Sequence, residues 1–231
     1  RDLRMSRGLG DVYKRQEQVK AKMNTGISIS RAWATGLVVV VFIMGGVMSL
    51  TTSFTQHMTG FGAWLGFSAT TLGLLGSCNM IGNLLGKLVL GPLNDKIGTR
   101  KTLIVGYIVV FVGLLMTIFN GGSMVLLFVG ATMYGVAFSI QTVMLPLVCT
   151  TMFGPRDFPK LFSYATMGNA LVGSVGISIN GALFDMSGSY YTGLSFVAVC
   201  GVLAMAMCFF GMMRAKKVGF DKEPESEQSA A

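Results

Sequence analysis

The sequence predicts an all-α, multi-pass helical membrane bundle with six transmembrane helices. Of the 231 residues, 52% are hydrophobic and 12% are charged, whereas soluble domains carry about 25% charged residues. Mean hydropathy is +0.63. The apolar residues form continuous runs near the ~20 residues that a helix needs to cross ~30 Å of hydrocarbon. This composition excludes a disordered chain, a coiled coil, a collagen repeat and a disulfide scaffold, and it argues against a soluble enzyme.

Six apolar runs bounded by polar punctuation are the predicted spans. Their length and continuity favour helices, because barrel strands are shorter and alternate in polarity. The spans are predicted at 33–54, 67–90, 102–119, 123–147, 162–184 and 192–213.

Charge sets the predicted orientation of these spans. Three connecting segments, 55–66, 120–122 and 185–191, contain no Lys or Arg, whereas the other connections and both tails are basic. The positive-inside rule therefore places both termini in the cytoplasm of a protein of the cell (inner) membrane, with the lipid bilayer as its surroundings. The net charge of +8 forms no basic stripe interleaved with aromatic residues, so no nucleic-acid partner is expected.

The two ends of the chain differ from the bundle. Residues 1–16 resemble a translated sequencing-library adaptor, which makes them an expected artefact and implies missing upstream coding sequence. Residues 17–31 are predicted to be a cytoplasmic tail or linker, 32–213 the six-helix bundle, and 214–231 a disordered cytoplasmic tail. The four cysteines have no metal spacing, and we expect neither a metal site nor a cofactor.

Polar residues lie on single faces of four spans, and these faces should contact protein or water rather than lipid. The third and sixth spans are apolar all round and are expected at the lipid-facing periphery. For Asn79, Asn83 and Asn169, cavity lining and hydrogen bonding between helices stay equal alternatives. The candidate lining residues are Asn79, Asn83, Lys87, Gln141, Asn169 and Asn180.

Two titratable residues have competing interpretations. Lys87 is the single ionisable group within a predicted span. It could meet an anionic solute, or it could snorkel to the nearby cytoplasmic edge, which we favour. His57 is a candidate for proton coupling because histidine titrates near neutral pH. Its position at the outer edge favours an interfacial histidine.

One motif carries a family resemblance. Residues 91–101 read Gly-Pro-Leu-Asn-Asp-Lys-Ile-Gly-Thr-Arg-Lys. This resembles the cytoplasmic signature loop of the major facilitator superfamily, G-x-L-x-D-R/K-x-G-R/K-R/K, with seven matches. Asn94 replaces a usual Ala, and Thr99 stands where a base is common. A weaker cue, residues 181–190, is similar to a loop of oxalate/formate antiporter and monocarboxylate transporter relatives.

The resemblance implies a fold of two six-helix halves, of which this chain looks like the C-terminal half, with the N-terminal half missing. It implies a secondary transporter of a small-molecule substrate that works by alternating access, with mono- or dicarboxylates as one substrate class. The fifth span lacks the basic residue expected for such anions, which counts against them. The implied cytoplasmic latch comprises Gly91, Asp95, Lys96, Gly98 and Arg100. We expect its glycines to form a tight turn, and Asp95 to pair with Arg100 or a helix N-terminus.

Two rival functions require residues that the sequence lacks. An intramembrane enzyme needs a catalytic set, yet the chain has one His and no Asp or Glu within the predicted spans. We therefore predict that it is not an enzyme. A six-span water channel would carry paired Asn-Pro-Ala repeats, which are absent. A non-transporting sensor or scaffold, and a self-associating homodimer, stay open.

Overall fold

The structure, a computed structural model, describes residues 25–220. Within that range a short helix, Ile29–Ala34, precedes six helices that are long and apolar enough to cross a membrane, which confirms the predicted all-α, six-span fold. We name them α1 (Leu37–Trp64), α2 (Ala69–Ile97), α3 (Thr99–Ile118), α4 (Met124–Phe153), α5 (Phe158–Ser187) and α6 (Tyr190–Val218). The proposed artefact (1–16) and parts of both predicted tails (17–24 and 221–231) lie outside the described residues.

Two segments predicted as loops are helical. The segment 55–66 was expected to be a loop, but it continues α1 as a 3₁₀ turn, Ser53–His57, and an α-helical end, Met58–Trp64. Met58 and Phe61 are buried there, and this apolar contact outweighs the local Thr and Gly content.

The signature segment is also mostly helical, which corrects the prediction of a tight turn at both of its glycines. α2 continues to Ile97 through the exposed Pro92. Gly91 is helical, and only Gly98 turns the chain, with φ of 81°. The sequence predicts that the second span ends at Leu90 because the apolar residues end there. The helix itself continues, since a helix that has been nucleated propagates readily into water.

Glycines bring the helices into close contact in two pairs. In the α1–α5 pair, a side chain at Gly45 or Gly168 would overlap the backbone of Ala165 or Phe42. In the α2–α4 pair, Gly82 and Gly135 play the same part against Thr132 and Asn79. Such small-residue contacts drive helix association in lipid, where apolar burial gives little driving force.

The helices differ in how far this unit covers them. In the most apolar 18-residue window of each span, 72% of α1 is buried, against 22% of α2 and 17% of α5. α3 and α6 are 44% and 39% buried, so they are less exposed than α2 and α5. The sequence predicts α3 and α6 at the periphery because their residues are apolar on all sides. The exposure of α2 and α5 has a different origin, since it depends on which sides of these helices the other helices leave uncovered.

Both ends of the described chain lie at the same end of the bundle. Ile27 is fully buried, and its N–H donates to the Phe153 carbonyl at 2.8 Å. The Arg31 guanidinium donates to the Val218 carbonyl at 2.8 Å. We call this end the basic end. Its cations within residues 25–220 are Arg31, Lys96, Arg100, Lys101, Arg156, Lys160, Arg214, Lys216 and Lys217.

The opposite end carries a cluster of aromatic rings. Trp64 lies 5.5 Å from Tyr191 and 6.2 Å from Tyr190 between ring centroids. Phe61 packs against the same two tyrosines. Trp and Tyr are enriched at membrane–water interfaces, so this cluster marks the second boundary of the spanning region.

Candidate functional site

A groove runs along one side of the bundle between α1, α4 and α5. It consists of two clefts of about 320 and 330 Å³ that share Phe138, Gln141 and Asn169 in their linings. On α5 the lining extends from Phe162 to Ile177, which is about 22 Å at 1.5 Å per residue. We call this the central groove. Its remaining lining residues are Ser49, Thr52, Ser53, Thr55, Gln56, Thr142, Leu145, Thr166, Ala170, Gly173 and Ser174.

Two of the three helices that form the groove are irregular beside it. α1 changes to a 3₁₀ turn at Ser53. α4 widens to a π-helix over Ile140–Met144, just before Pro146. Pro146 has no N–H, and its ring crowds the carbonyl of the residue four positions earlier. π-segments recur at functional sites because they redirect side chains, and this one carries Gln141.

The two shared amides have hydrogen-bonding capacity that the bundle does not use. The Thr52 hydroxyl lies 2.9 Å from Gln141 Oε1 and 2.9 Å from the Ser49 carbonyl, either of which can accept its proton. Within residues 25–220, the Gln141 Nε2 and the whole Asn169 carboxamide have no hydrogen-bond partner. Both side chains are part-exposed to the groove. They can therefore donate to and accept from a bound solute.

The other candidate amides bond between or within helices. Asn79 is 1% exposed, and its Nδ2 donates to the Ala131 carbonyl of α4 at 3.1 Å. Asn83 accepts from the Ser139 hydroxyl of α4. Asn180 Nδ2 lies 2.7 Å from Ser53 Oγ of α1. These geometries match the interhelical alternative, and none of the three residues is among those that line the groove.

Lys87 and His57 lie at the margins of the groove. Lys87 is exposed, and its Nζ is 5.9 Å from the ring centroid of Phe138, which lines both clefts. His57 Nε2 is 3.0 Å from the Ile177 carbonyl. The His57 ring packs beside Phe54 and Tyr190 in the aromatic cluster. One cation and one histidine thus flank a groove whose own lining is neutral.

The signature residues lie at the basic end, away from the groove. Asp95, Lys96 and Arg100 are exposed. Among residues 25–220, Asp95 pairs neither with Arg100 nor with a helix N-terminus, so neither expected bond is present. The start of α3 is instead tied to the end of α4, with Thr99 Oγ1 3.1 Å from Thr151 Oγ1.

The candidate lining residues predicted from the sequence leave out the hydroxyl-rich wall of the groove, although the polar end of the first span was expected to contact protein or water. Ser49, Thr52 and Ser53 are buried on α1, and Thr55 and Gln56 continue the wall into the 3₁₀ turn. A signal for them exists, because residues 49–56 contain six hydroxyl or amide side chains, which is uncommon in an apolar span. Within residues 25–220 no group of three or more His, Cys, Asp or Glu could hold a metal ion.

Comparisons with known proteins agree with the fold. The family model of the Major Facilitator Superfamily matches residues 33–231. A D-xylose transporter of Levilactobacillus brevis is 25% identical over 170 residues, which cover 72% of this chain and 34% of that protein. The chain thus spans about a third of that relative's length. The family match covers all six spans, and the chain belongs to the major facilitator superfamily, a family of membrane transporters rather than enzymes.

Proposed function

We propose that the chain is the C-terminal six-helix half of a secondary transporter that moves a small polar solute across the membrane by alternating access. The observation that carries this proposal is the central groove. It brings together the unpartnered amides of Gln141, on the π-segment of α4, and Asn169, on the regular helix α5, beside the 3₁₀ turn of α1. Discontinuous helices around a polar site near the middle of the bilayer are the usual arrangement in such transporters.

The partner in this proposal is an N-terminal six-helix half that covers the exposed sides of α2 and α5. These helices present large apolar side chains, with Leu84 57% and Leu88 63% exposed on α2, and Leu171 58% and Val175 56% exposed on α5. The groove runs along α5, so a second half resting on this surface would enclose it. A second copy of this chain could cover the same surface. Such a homodimer would differ from a complex with an N-terminal half in its mass and in its symmetry.

We place the basic end in the cytoplasm of a cell (inner) membrane protein. Within the described residues that end holds nine cations and the opposite end none, and Lys and Arg accumulate on cytoplasmic loops. Asp95, Lys96, Gly98 and Arg100, with Gly91 one helical turn before Asp95, then form the cytoplasmic latch. Asp95 has no partner among residues 25–220, so its carboxylate can pair with the other half when the cytoplasmic side is closed.

The groove favours a neutral, hydroxyl-rich solute. Its lining supplies hydroxyl and amide groups and no formal charge, and each good hydrogen bond contributes about 0.5–1.5 kcal/mol. The relative named as a D-xylose transporter supports this class. An organic anion such as a mono- or dicarboxylate is the second candidate. It rests on Lys87, whose ammonium group lies beside Phe138.

Uptake into proteoliposomes tests the proposal. The complete transporter, this chain joined to its N-terminal half, is reconstituted and supplied with labelled D-xylose, formate or oxalate. We expect saturable D-xylose uptake that Gln141→Ala lowers at least tenfold. Thr192→Ala serves as the control and should retain uptake, because this exposed hydroxyl lies at the end of the bundle that carries the aromatic cluster. Uptake of oxalate alone would favour the anion class. If none of the three labelled solutes is taken up, and if Gln141→Ala does not change solute binding, the result would favour a non-transporting sensor or scaffold.

Proton coupling through His57 is a separate proposal. His57 follows Gln56 of the groove and contacts the Ile177 carbonyl, so a change in its charge would be felt at one end of the groove. His57→Gln should abolish uptake driven by a proton gradient while solute counterflow continues. Loss of both activities, or of neither, would exclude this role.

A further inference from the structure

A second cavity of about 280 Å³ lies at the basic end, between the start of α3, the end of α4 and the end of α6. We call it the basic pocket. Arg100 and Lys216 line it from two sides, and Thr151 adds a hydroxyl. Met152, Met212 and Phe220 supply its apolar walls. It shares no lining residue with the central groove.

The two cations of the basic pocket have no acidic counterpart within the described residues. At the basic end, Asp95 and Asp157 are the acidic residues of that range. Asp157 accepts from the Ile29 N–H at 3.1 Å and lies 3.5 Å from Lys160. Neither carboxylate lines the pocket. The pocket therefore presents uncompensated positive charge that an anion would neutralise.

Exposed apolar residues continue from the pocket toward the middle of the membrane. Ile104 lies one turn from Arg100 on the same face of α3 and is 40% exposed. Met213 lies one turn before Lys216 on α6 and is 52% exposed. α3 and α6 contact each other. A ligand with a phosphate in the pocket and acyl chains along α3 and α6 would contact both the cations and the exposed apolar faces. A soluble anion would contact the cations alone.

We propose that the basic pocket binds the headgroup of an anionic phospholipid from the membrane leaflet at the basic end. Arg100 and Lys216 contact the phosphate, and the acyl chains lie against the outer faces of α3 and α6. A volume of about 280 Å³ suits a headgroup and excludes the chains. Cationic pockets between helices at this membrane boundary commonly hold such headgroups.

Native mass spectrometry of the purified full chain in nonionic detergent tests this proposal. Phosphatidylglycerol and phosphatidylcholine with the same palmitoyl and oleoyl chains are titrated in parallel. We expect phosphatidylglycerol to bind at least tenfold more tightly. Arg100→Gln with Lys216→Gln should weaken its binding about twenty-fivefold, since each cation near an anionic surface is worth roughly fivefold. Equal binding of the two lipids would overturn the proposal.

The matched control also removes two positive charges from α3 and α6, each one residue further along the helix. Lys101→Gln with Lys217→Gln leaves the pocket lining intact and should weaken phosphatidylglycerol binding less than threefold. Equal losses in the two double variants would mean general attraction to a basic surface and would overturn the specific site. Lys216→Gln alone, at the exposed end of α6, should cost about fivefold and serves if the double variant does not fold.

Two further arms separate the lipid from other anions. Inorganic phosphate at 10 mM should leave phosphatidylglycerol bound, and its displacement would assign the pocket to a soluble phosphate. The chain truncated after Phe220 lacks the acidic residues Asp221, Glu223, Glu225 and Glu227. It should bind phosphatidylglycerol as the full chain does. Binding only after truncation would make the chain's own acidic segment the occupant and would overturn the lipid.

Discussion

Each cleft of the central groove is close in size to the basic pocket, but the two sites differ in chemistry. Each cleft of the groove measures about 320–330 Å³ and is lined by hydroxyls, amides and uncharged apolar side chains, among them Phe138. The pocket measures about 280 Å³ and is lined by two cations, one hydroxyl and apolar side chains. Neutral hydrogen-bonding groups hold a solute weakly enough to release it, whereas paired cations retain an anion. This difference in lining is the basis for proposing a transported solute at the groove and a bound lipid at the pocket.

The two sites also rest on different kinds of backbone. The groove lies where α1 and α4 depart from regular α-helix, and such departures allow helices to bend. The pocket lies at the ends of α3, α4 and α6, whose backbones are regular there. We infer that the groove belongs to the moving part of the unit and that the pocket anchors its periphery.

The largest expected effect destabilises the bundle that carries both sites. Gly82→Ala places a methyl group against the Thr132 carbonyl of α4, so α2 and α4 must separate. Overpacking of this kind costs about 1–3 kcal/mol. We expect a clear fall in melting temperature and in monodisperse yield. Gly73→Ala is the control on the same helix, since nothing lies within 4 Å of its position. An unchanged melting temperature for Gly82→Ala would contradict the close contact.

The next effect distinguishes the neutral groove from its charged margin. Asn169→Ala removes an unpartnered amide shared by both clefts and should lower D-xylose uptake at least tenfold. Lys87→Gln, which removes the cation beside Phe138, should change uptake less than twofold. The reverse pattern, with Lys87 essential and Asn169 dispensable, would assign the groove to an organic anion.

A smaller effect separates the sites by ionic strength. Raising NaCl from 0.1 to 1 M shortens the Debye length from ~10 to ~3 Å. Because of that screening, phosphatidylglycerol binding to the basic pocket should weaken about fivefold. The Km for the solute of the groove should change less than twofold. Equal salt sensitivity at the two sites would remove the chemical contrast between them.

The smallest effect sharpens the difference between amides that bridge helices and amides that face the groove. Asn180→Ala breaks the bond to Ser53 and should destabilise the unit by about 1 kcal/mol, the usual value for such bonds in membranes. Asn169→Ala, on the same helix but without a partner in the described residues, should leave the melting temperature within 1 °C, a shift well below that expected for 1 kcal/mol. Equal shifts for the two variants would show that Asn169 also bridges helices.

The sequence predicted the spans because hydropathy and length decide whether a helix crosses a membrane. It misplaced helix ends, as at Leu90, because hydrogen bonds along a helix continue beyond the apolar stretch to Gly98. It placed Asn79, Asn83 and Lys87 on one face, yet periodicity does not reveal what covers that face. Asn79 is covered because Gly135 lets α4 approach closely.

The basic pocket was beyond sequence reasoning for a related cause. Arg100 and Lys216 are far apart in the chain, and each reads as a topology-setting cation at its own helix end. Only the packing of α3, α4 and α6 brings them to one cavity. Local patterns predict elements, whereas a site formed by three helix ends depends on tertiary contacts.

Thiol accessibility in the complete transporter tests the central claim, that the groove is the solute pathway of alternating access. Asn169→Cys is introduced after Cys78, Cys149, Cys200 and Cys208 are replaced by Ser. A membrane-impermeant maleimide is applied to either side of sealed vesicles. Asn180→Cys, at a buried interface, is the control and should react from neither side. We predict that Asn169→Cys reacts from both sides and is protected by bound solute. Reaction from neither side, or no protection by any transported solute, would contradict the account.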